Sequence, residues 1–209
     1  MSLKRDLVKF WNKIWFLLWK DESFKGWIFS IIFIFVFIKF IFFPSLSFVT
    51  GTELPLAIVE SCSMYHSGNL LSNFDSWFSK HEQKYSNINI SKDEFGSFWF
   101  RSGLNKGDIL FVIRANPDKI KIGDIIIYAA NQRNPVIHRV MGIKEVNGKR
   151  IFSTMGDNNN GQLFFENSIT SEEIVGRPIL KIGPYLGWVK LIFFEGSKSQ
   201  SERGFCREN

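Results

Sequence analysis

Ser61 and Ser63 stand one residue apart in Ala57-Ile58-Val59-Glu60-Ser61-Cys62-Ser63-Met64, at the end of an apolar run. This spacing offers one hydroxyl, Ser63, as a nucleophile and a second, Ser61, beside it. A serine attacks poorly until a base takes its proton, so the hypothesis requires a base elsewhere in the chain. His138, inside the β-rich run Val136-Ile137-His138-Arg139-Val140, is the strongest candidate, because imidazole exchanges protons near neutral pH. A histidine in a strand also serves as a hydrogen-bonded structural residue. His66 and His81 fall in a polar stretch and read as surface residues, with His66 a minor rival base through its nearness to Ser63. Asp157, in Met155-Gly156-Asp157-Asn158-Asn159, is either a turn residue bonding its own backbone or the carboxylate that orients the histidine.

The elements that must carry these residues follow from the pattern of the chain. Residues 26–43, GWIFSIIFIFVFIKFIFF, are apolar except for Lys39 and span roughly 27 Å as a helix, close to a bilayer's hydrocarbon core. Basic residues gather before this segment, which predicts a single transmembrane helix with the N-terminus in the cytoplasm and everything after Pro44 outside. A cleaved signal peptide is the competing reading, with Ser45-Leu46-Ser47 as the processing site; the long n-region and the long Phe-rich segment favour an uncleaved anchor. Residues 1–25 read as an amphipathic helix, lying in the cytoplasmic membrane interface or packed on a soluble core.

Residues 44–195 form the extracytoplasmic domain. Within it, 67–103 has aromatic residues at helical intervals (Phe74, Trp77, Phe78, Tyr85, Phe95, Phe98), which predicts a small helical insertion or cap. After Gly103 short strands take over at 109–113, 125–128, 136–140 and 150–154, with a turn at Asn147-Gly148. The fold class is therefore mainly β, a coiled sheet or partly open barrel. The apolar run 183–194 is short for a span and suits a return to the membrane surface. Residues 196–209 have nothing to bury and read as a disordered tail.

A chain of 209 residues accommodates one membrane segment and one domain with a core. Its net charge of +6 is not gathered on one face with interleaved aromatics, which argues against nucleic acid as a partner. Three histidines without a Cys/His cluster predict no metal site, and no cofactor is required. Two cysteines, Cys62 and Cys206, are too few for a disulfide framework, and neither reads as structural.

Taken in order, the membrane helix, S-x-S-M, L-x-x-G-D, G-D-I-I-I-Y, I-H-R-V, M-G-D-N-N and P-Y-L-G-W resemble a type I signal peptidase over residues 56–66 and 104–191. Histidine in I-H-R-V, where bacterial enzymes of that family have lysine, makes the chain similar to the archaeal and endoplasmic-reticulum branch. The resemblance implies Ser63 as nucleophile, His138 as general base, Asp157 as the acid, and the Ser61 hydroxyl with the Ser63 N–H facing the oxyanion. It also implies preproteins bearing signal peptides as substrates, cut after a small residue, with the lipid bilayer and the translocation machinery as partners. Three departures stand out: Cys62 where the family has glycine, Tyr65-His66 where a proline commonly follows, and Leu163 where this branch has a second acid. Glu166 is the nearest alternative acid. These departures motivate a different reading, a non-catalytic membrane-anchored module that binds exported segments. A self-cleaving regulator of the related repressor class fits less well, because such proteins resemble the lysine-dependent form.

Overall fold

The computed structural model describes residues 2–68, 74–130 and 134–207. Residues 69–73 of the expected insertion, 208–209 of the expected tail and Met1 lie outside them. The chain divides into two compact units, Met1–Val49 and Thr50–Asn209.

The first unit is helical. Helix α1 covers Ser2–Trp19, and α2 covers Phe24–Phe37, where the Ser23 side chain accepts from the Gly26 N–H at 3.2 Å and caps the first turn. A π-helical turn, Ile38–Phe42, leads directly into α3, Phe43–Thr50. The expected span stopped at residue 43, yet the helix continues through Pro44 to Thr50. The reason is local: the Phe43 N–H reaches back to the Ile38 carbonyl, and this widened turn receives a ring that would otherwise crowd the preceding turn. The continuous helix Phe24–Thr50, 27 residues, is long and apolar enough to cross a membrane. Its large side chains, Ile34, Phe35 and Phe40 among them, are exposed, as suits a lipid-facing anchor.

The second unit is mainly sheet, a curled seven-stranded half-barrel in the order β1-β2-β7-β3-β4-β5-β6. The strands are β1 (Leu56–Ile58), β2 (Ile109–Ile113), β3 (Ile125–Tyr128), β4 (Val136–Val146), β5 (Lys149–Met155), β6 (Ile169–Thr170) and β7 (Ile174–Gly183), and every pairing is antiparallel. Asn147 and Gly148, both at positive φ, close the β4–β5 hairpin as a two-residue turn. Strand β7, which was not among the expected strands, bridges β2 and β3, although Pro178 in its middle removes a ladder donor. A register shift in the β2–β7 pairing lies beside that proline and absorbs it.

One core packs Ala57, Val59, Met64, Leu104, Leu110, Val112, Ile125 and Ile127; a second gathers Ile120, Ile126, Tyr128, Val140, Phe152 and Ile169 on the other side of the sheet. The insertion contributes α4 (Phe74–Ser86) and α5 (Lys92–Gly96), whose Trp77, Phe78, Tyr85 and Phe95 form a third cluster with Met141 and Met155. Near the end of the chain, α6 (Trp188–Leu191) buries Leu191.

The tail differs from expectation. Cys206 is disulfide-bonded to Cys62, so both cysteines are structural, and 3₁₀ turns occupy Glu195–Ser197 and Gln200–Glu202. What the tail buries is supplied from outside it: the Lys106 ammonium, itself buried, donates to Glu195, to the Glu202 carbonyl at 2.7 Å and to the Gly204 carbonyl at 3.1 Å.

Candidate active site

The loop carrying the two serines is pinned at both ends. Before it, Val59 exchanges backbone hydrogen bonds with the turn at Gly107-Asp108: Val59 N–H to the Asp108 carbonyl at 2.9 Å, and Gly107 N–H to the Val59 carbonyl at 2.8 Å. That turn is locked in its own right. The buried Asp108 carboxylate accepts from the Asn105 N–H and from Lys181, and the Gly107 carbonyl accepts from the Gly187 N–H. Gly107 has φ +92, and a Cβ there would lie 2.3 Å from the Trp188 ring, so glycine is required. The L-x-x-G-D and P-Y-L-G-W motifs thus meet each other to aim the serine loop. After it, Met64 is buried in the core and its carbonyl accepts from the Leu104 N–H at 2.7 Å.

Between these pins the Ser61 and Ser63 hydroxyls lie 3.1 Å apart, Ser61 exposed and Ser63 half-buried. The Ser63 carbonyl accepts from the Asn158 N–H at 2.7 Å, which ties the loop to the turn that follows β5. Gly156 is needed there, since a Cβ would come within 2.7 Å of the Ser63 carbonyl.

His138 is buried on β4, paired with Ile126 of β3. Its Nδ1 is hydrogen-bonded to Oε1 of Glu166, a carboxylate that is itself buried. Glu166 also accepts from the Thr154 hydroxyl at 3.4 Å and from the Leu163 N–H, so three donors fix it. Leu163, the position where the resemblance implied a second acid, is 44% exposed. A 3₁₀ turn over Phe164–Asn167 brings in the acid three residues later. The carboxylate held against His138 is therefore Glu166 and not Asp157.

Asp157 belongs to a different system. Residues adjacent in a strand point to opposite faces, so Arg139 turns away from the side that His138 faces. The Arg139 guanidinium, fully buried, donates to both Asp157 oxygens, with its shortest contact at 2.7 Å. It donates further to the carbonyls of Trp99, Phe100 and Gly123. His66, expected on the surface, is 2% exposed: its ring stacks on Trp77 with centroids 3.5 Å apart, and its Nε2 lies 2.9 Å from Asp157. The Tyr85 hydroxyl adds a donor at 3.3 Å. The signal for burying His66 lay in the aromatic spacing of the insertion, which supplies the ring it stacks on.

The electrostatics follow this packing. Burial works to raise the Asp157 carboxyl, but the Arg139 guanidinium and the His66 hydrogen bond outweigh it and hold the group well below the usual carboxylate range. Burial lowers His66 against the opposing pull of Asp157, which favours a neutral imidazole donating through Nε2. Lys84, on α4, donates to the carbonyls of Gly156, Asp157 and Asn159 at 3.2, 2.8 and 2.6 Å, and burial brings it down to about 8. The insertion thus clamps the turn against which Ser63 rests. His81 stays with the insertion, its Nδ1 2.8 Å from the Trp77 carbonyl. Among the described residues no group of His, Cys, Asp and Glu is placed to hold a metal ion.

No family model matches the chain. It does have curated relatives whose names agree with the ordered motifs, among them signal peptidases of the endoplasmic-reticulum-like branch. More narrowly, they are catalytic subunits of the signal peptidase complex: SEC11C of Homo sapiens is 35% identical over 96 residues, 43% of this chain and 50% of that one. SEC11 of Lachancea thermotolerans is 28% identical over 125 residues, 58% of this chain and 52% of that one. The chain spans about half the length of the curated relatives it matches. It is a homologue of signal peptidases, which are hydrolases that process signal peptides, and its N-terminal apolar helix fits membrane anchoring.

Proposed function

We propose that this chain is a membrane-anchored serine endopeptidase that removes signal peptides from exported preproteins. The observation that carries this reading is the buried His138–Glu166 pair, on a sheet whose adjoining loop presents the Ser61 and Ser63 hydroxyls 3.1 Å apart. Glu166 keeps the His138 proton on Nδ1 and leaves Nε2 to take the Ser63 proton as the hydroxyl attacks the scissile carbonyl. Ser61 Oγ and the Ser63 N–H stabilise the oxyanion. The tetrahedral intermediate collapses to an acyl-enzyme as His138 protonates the leaving amine; water, deprotonated by His138, then releases the signal peptide and regenerates Ser63.

The substrates are membrane-inserted preproteins with an A-x-A-like site, cut after a small residue. Phe24–Thr50 spans the cell membrane once, with the N-terminus in the cytoplasm and the sheet outside. The Cys62–Cys206 disulfide supports that side, since such bonds persist in oxidising compartments. Relatives named as subunits of a complex support further protein partners at the membrane, translocation machinery among them.

Cleavage of a preprotein bearing an A-x-A site, by full-length protein in liposomes, tests this reading. Ser63→Ala and His138→Ala are expected to lower kcat by roughly 10⁴-fold or more. Folded, lipid-embedded wild type that does not cleave would turn the reading toward a module that binds exported segments.

A further inference from the structure

Cys62 lies between the two serines, and the structure ties it across 144 residues of chain to Cys206. The segment leading to Cys206 touches the serine loop at further points. Lys198 Nζ donates to the Glu60 carbonyl at 2.8 Å. The Asn158 side-chain amide donates to both the Cys62 carbonyl, at 3.1 Å, and the Arg207 carbonyl, at 3.0 Å, so one side chain joins loop and tail. With Asn158 N–H on the Ser63 carbonyl, the carbonyls of residues 60, 62 and 63 are all engaged. The tail is itself held by Lys106 and by Phe205, whose ring centroid lies 4.8 Å from that of Trp188. Ser61 nevertheless remains exposed and Ser63 half-buried. The tail therefore grips the backbone of the loop and leaves its hydroxyls open, which is the geometry of a support and not of a plug.

We propose that the Cys62–Cys206 disulfide and the segment Lys198–Arg207 form a strap that holds Ser63 in its attacking position, so that cleavage depends on the oxidised bond. This rests on the Ser63 chemistry proposed above. Cys62 and Cys206 are positioning residues: they act through the placement of Ser63, where a displacement of about 1 Å costs on the order of 10²-fold in rate. The bond at Cys62 places a covalent constraint on the residue next to Ser63. A dithiol releases the strap by thiol–disulfide exchange. Its first thiolate attacks one sulfur to give a mixed disulfide and one free cysteine thiol; its second closes a cyclic disulfide and frees the other cysteine, so two electrons pass from dithiol to protein.

Full-length protein in liposomes is assayed for preprotein cleavage with and without dithiothreitol, alongside Cys206→Ser, with the disulfide state read by mass spectrometry. Reduction and Cys206→Ser are each expected to lower kcat by about 10-fold or more with KM within about twofold, at a temperature well below unfolding. Dithiothreitol adds no further loss to Cys206→Ser, and reoxidation with glutathione disulfide restores wild type alone. Hydrogen exchange at the amides of residues 60–65 is expected to quicken on reduction. Lys198→Ala, which keeps the disulfide, gives a smaller loss in kcat and remains informative if Cys206→Ser fails to fold.

An unchanged kcat with the bond broken overturns the strap, and so does a rise in kcat, which would make the tail a plug. If oxidised wild type does not cleave, the Ser63 reading falls. The exchange of residues 60–65 then decides the strap as a support of that loop, and unchanged exchange overturns it.

Discussion

His138 and Arg139 are neighbours on β4, yet they serve two buried polar systems of different character. On one face an imidazole meets a single carboxylate, Glu166, which is fixed by a hydroxyl and an amide. On the other, a guanidinium and a carboxylate, Arg139 and Asp157, bind each other and are surrounded by His66, Tyr85 and three backbone carbonyls. The first arrangement engages one nitrogen of its histidine, Nδ1, and the proposed mechanism assigns proton transfer to the other. In the second, fixed opposite charges and saturated donors suit a framework. The alternation of a strand thus separates a group suited to chemistry from a group suited to support, one residue apart.

Glu166→Gln breaks the comparison most sharply. It keeps the size of the side chain but gives up the charge that orients the imidazole, and kcat for preprotein cleavage is expected to fall by roughly 10³–10⁴-fold. The thermal midpoint, measured on the same sample, should move by only a few degrees.

Asp157→Asn is expected to do the reverse. Removing one partner of a buried ion pair leaves Arg139 uncompensated, and stability measured by denaturant unfolding should drop by about 3–5 kcal/mol. The kcat of the molecules that remain folded should fall far less than in Glu166→Gln. A variant that is fully stable yet inactive would move Asp157 into the reacting group and end the distinction drawn here.

A smaller effect sharpens the framework side. His66 is depressed in the folded state from the ordinary 6.5 by burial, with Asp157 opposing and Arg139 and His81 adding to the depression. Below pH 6.5 the unfolded chain therefore binds a proton that the folded chain resists. The stability that His66 contributes is present above that pH and is lost as pH falls toward the depressed folded value. Denaturant unfolding at pH 7.5 and 5.5 should show wild type losing stability, and His66→Phe, which keeps the stack on Trp77, should flatten the slope. Asp157 acts in a lower window, losing its contribution only as pH falls below the ordinary carboxylate value of 3.8.

Local pattern determined much of this protein by itself. Apolar length gave the helix before Thr50, β-branched runs gave β2 to β5, and Asn147-Gly148 gave their hairpin, because each depends on residues close together in the chain. The candidate residues Ser61, Ser63, His138 and Asp157 were visible as chemical types at suggestive positions, whereas Glu166 came into view only through the family resemblance, as the nearest acid to Leu163. Which of them touch was decided only by the tertiary structure. A 3₁₀ turn places Glu166, three residues beyond Leu163, on Nδ1 of His138, and the pleat of β4 sends Arg139 to claim Asp157. Folding the insertion over the sheet buries His66, and wrapping the tail back joins Cys206 to Cys62. Each of these pairings closes a long loop of chain, and neither the periodicity nor the spacing of the residues carries the information about which distant partner lies at its end.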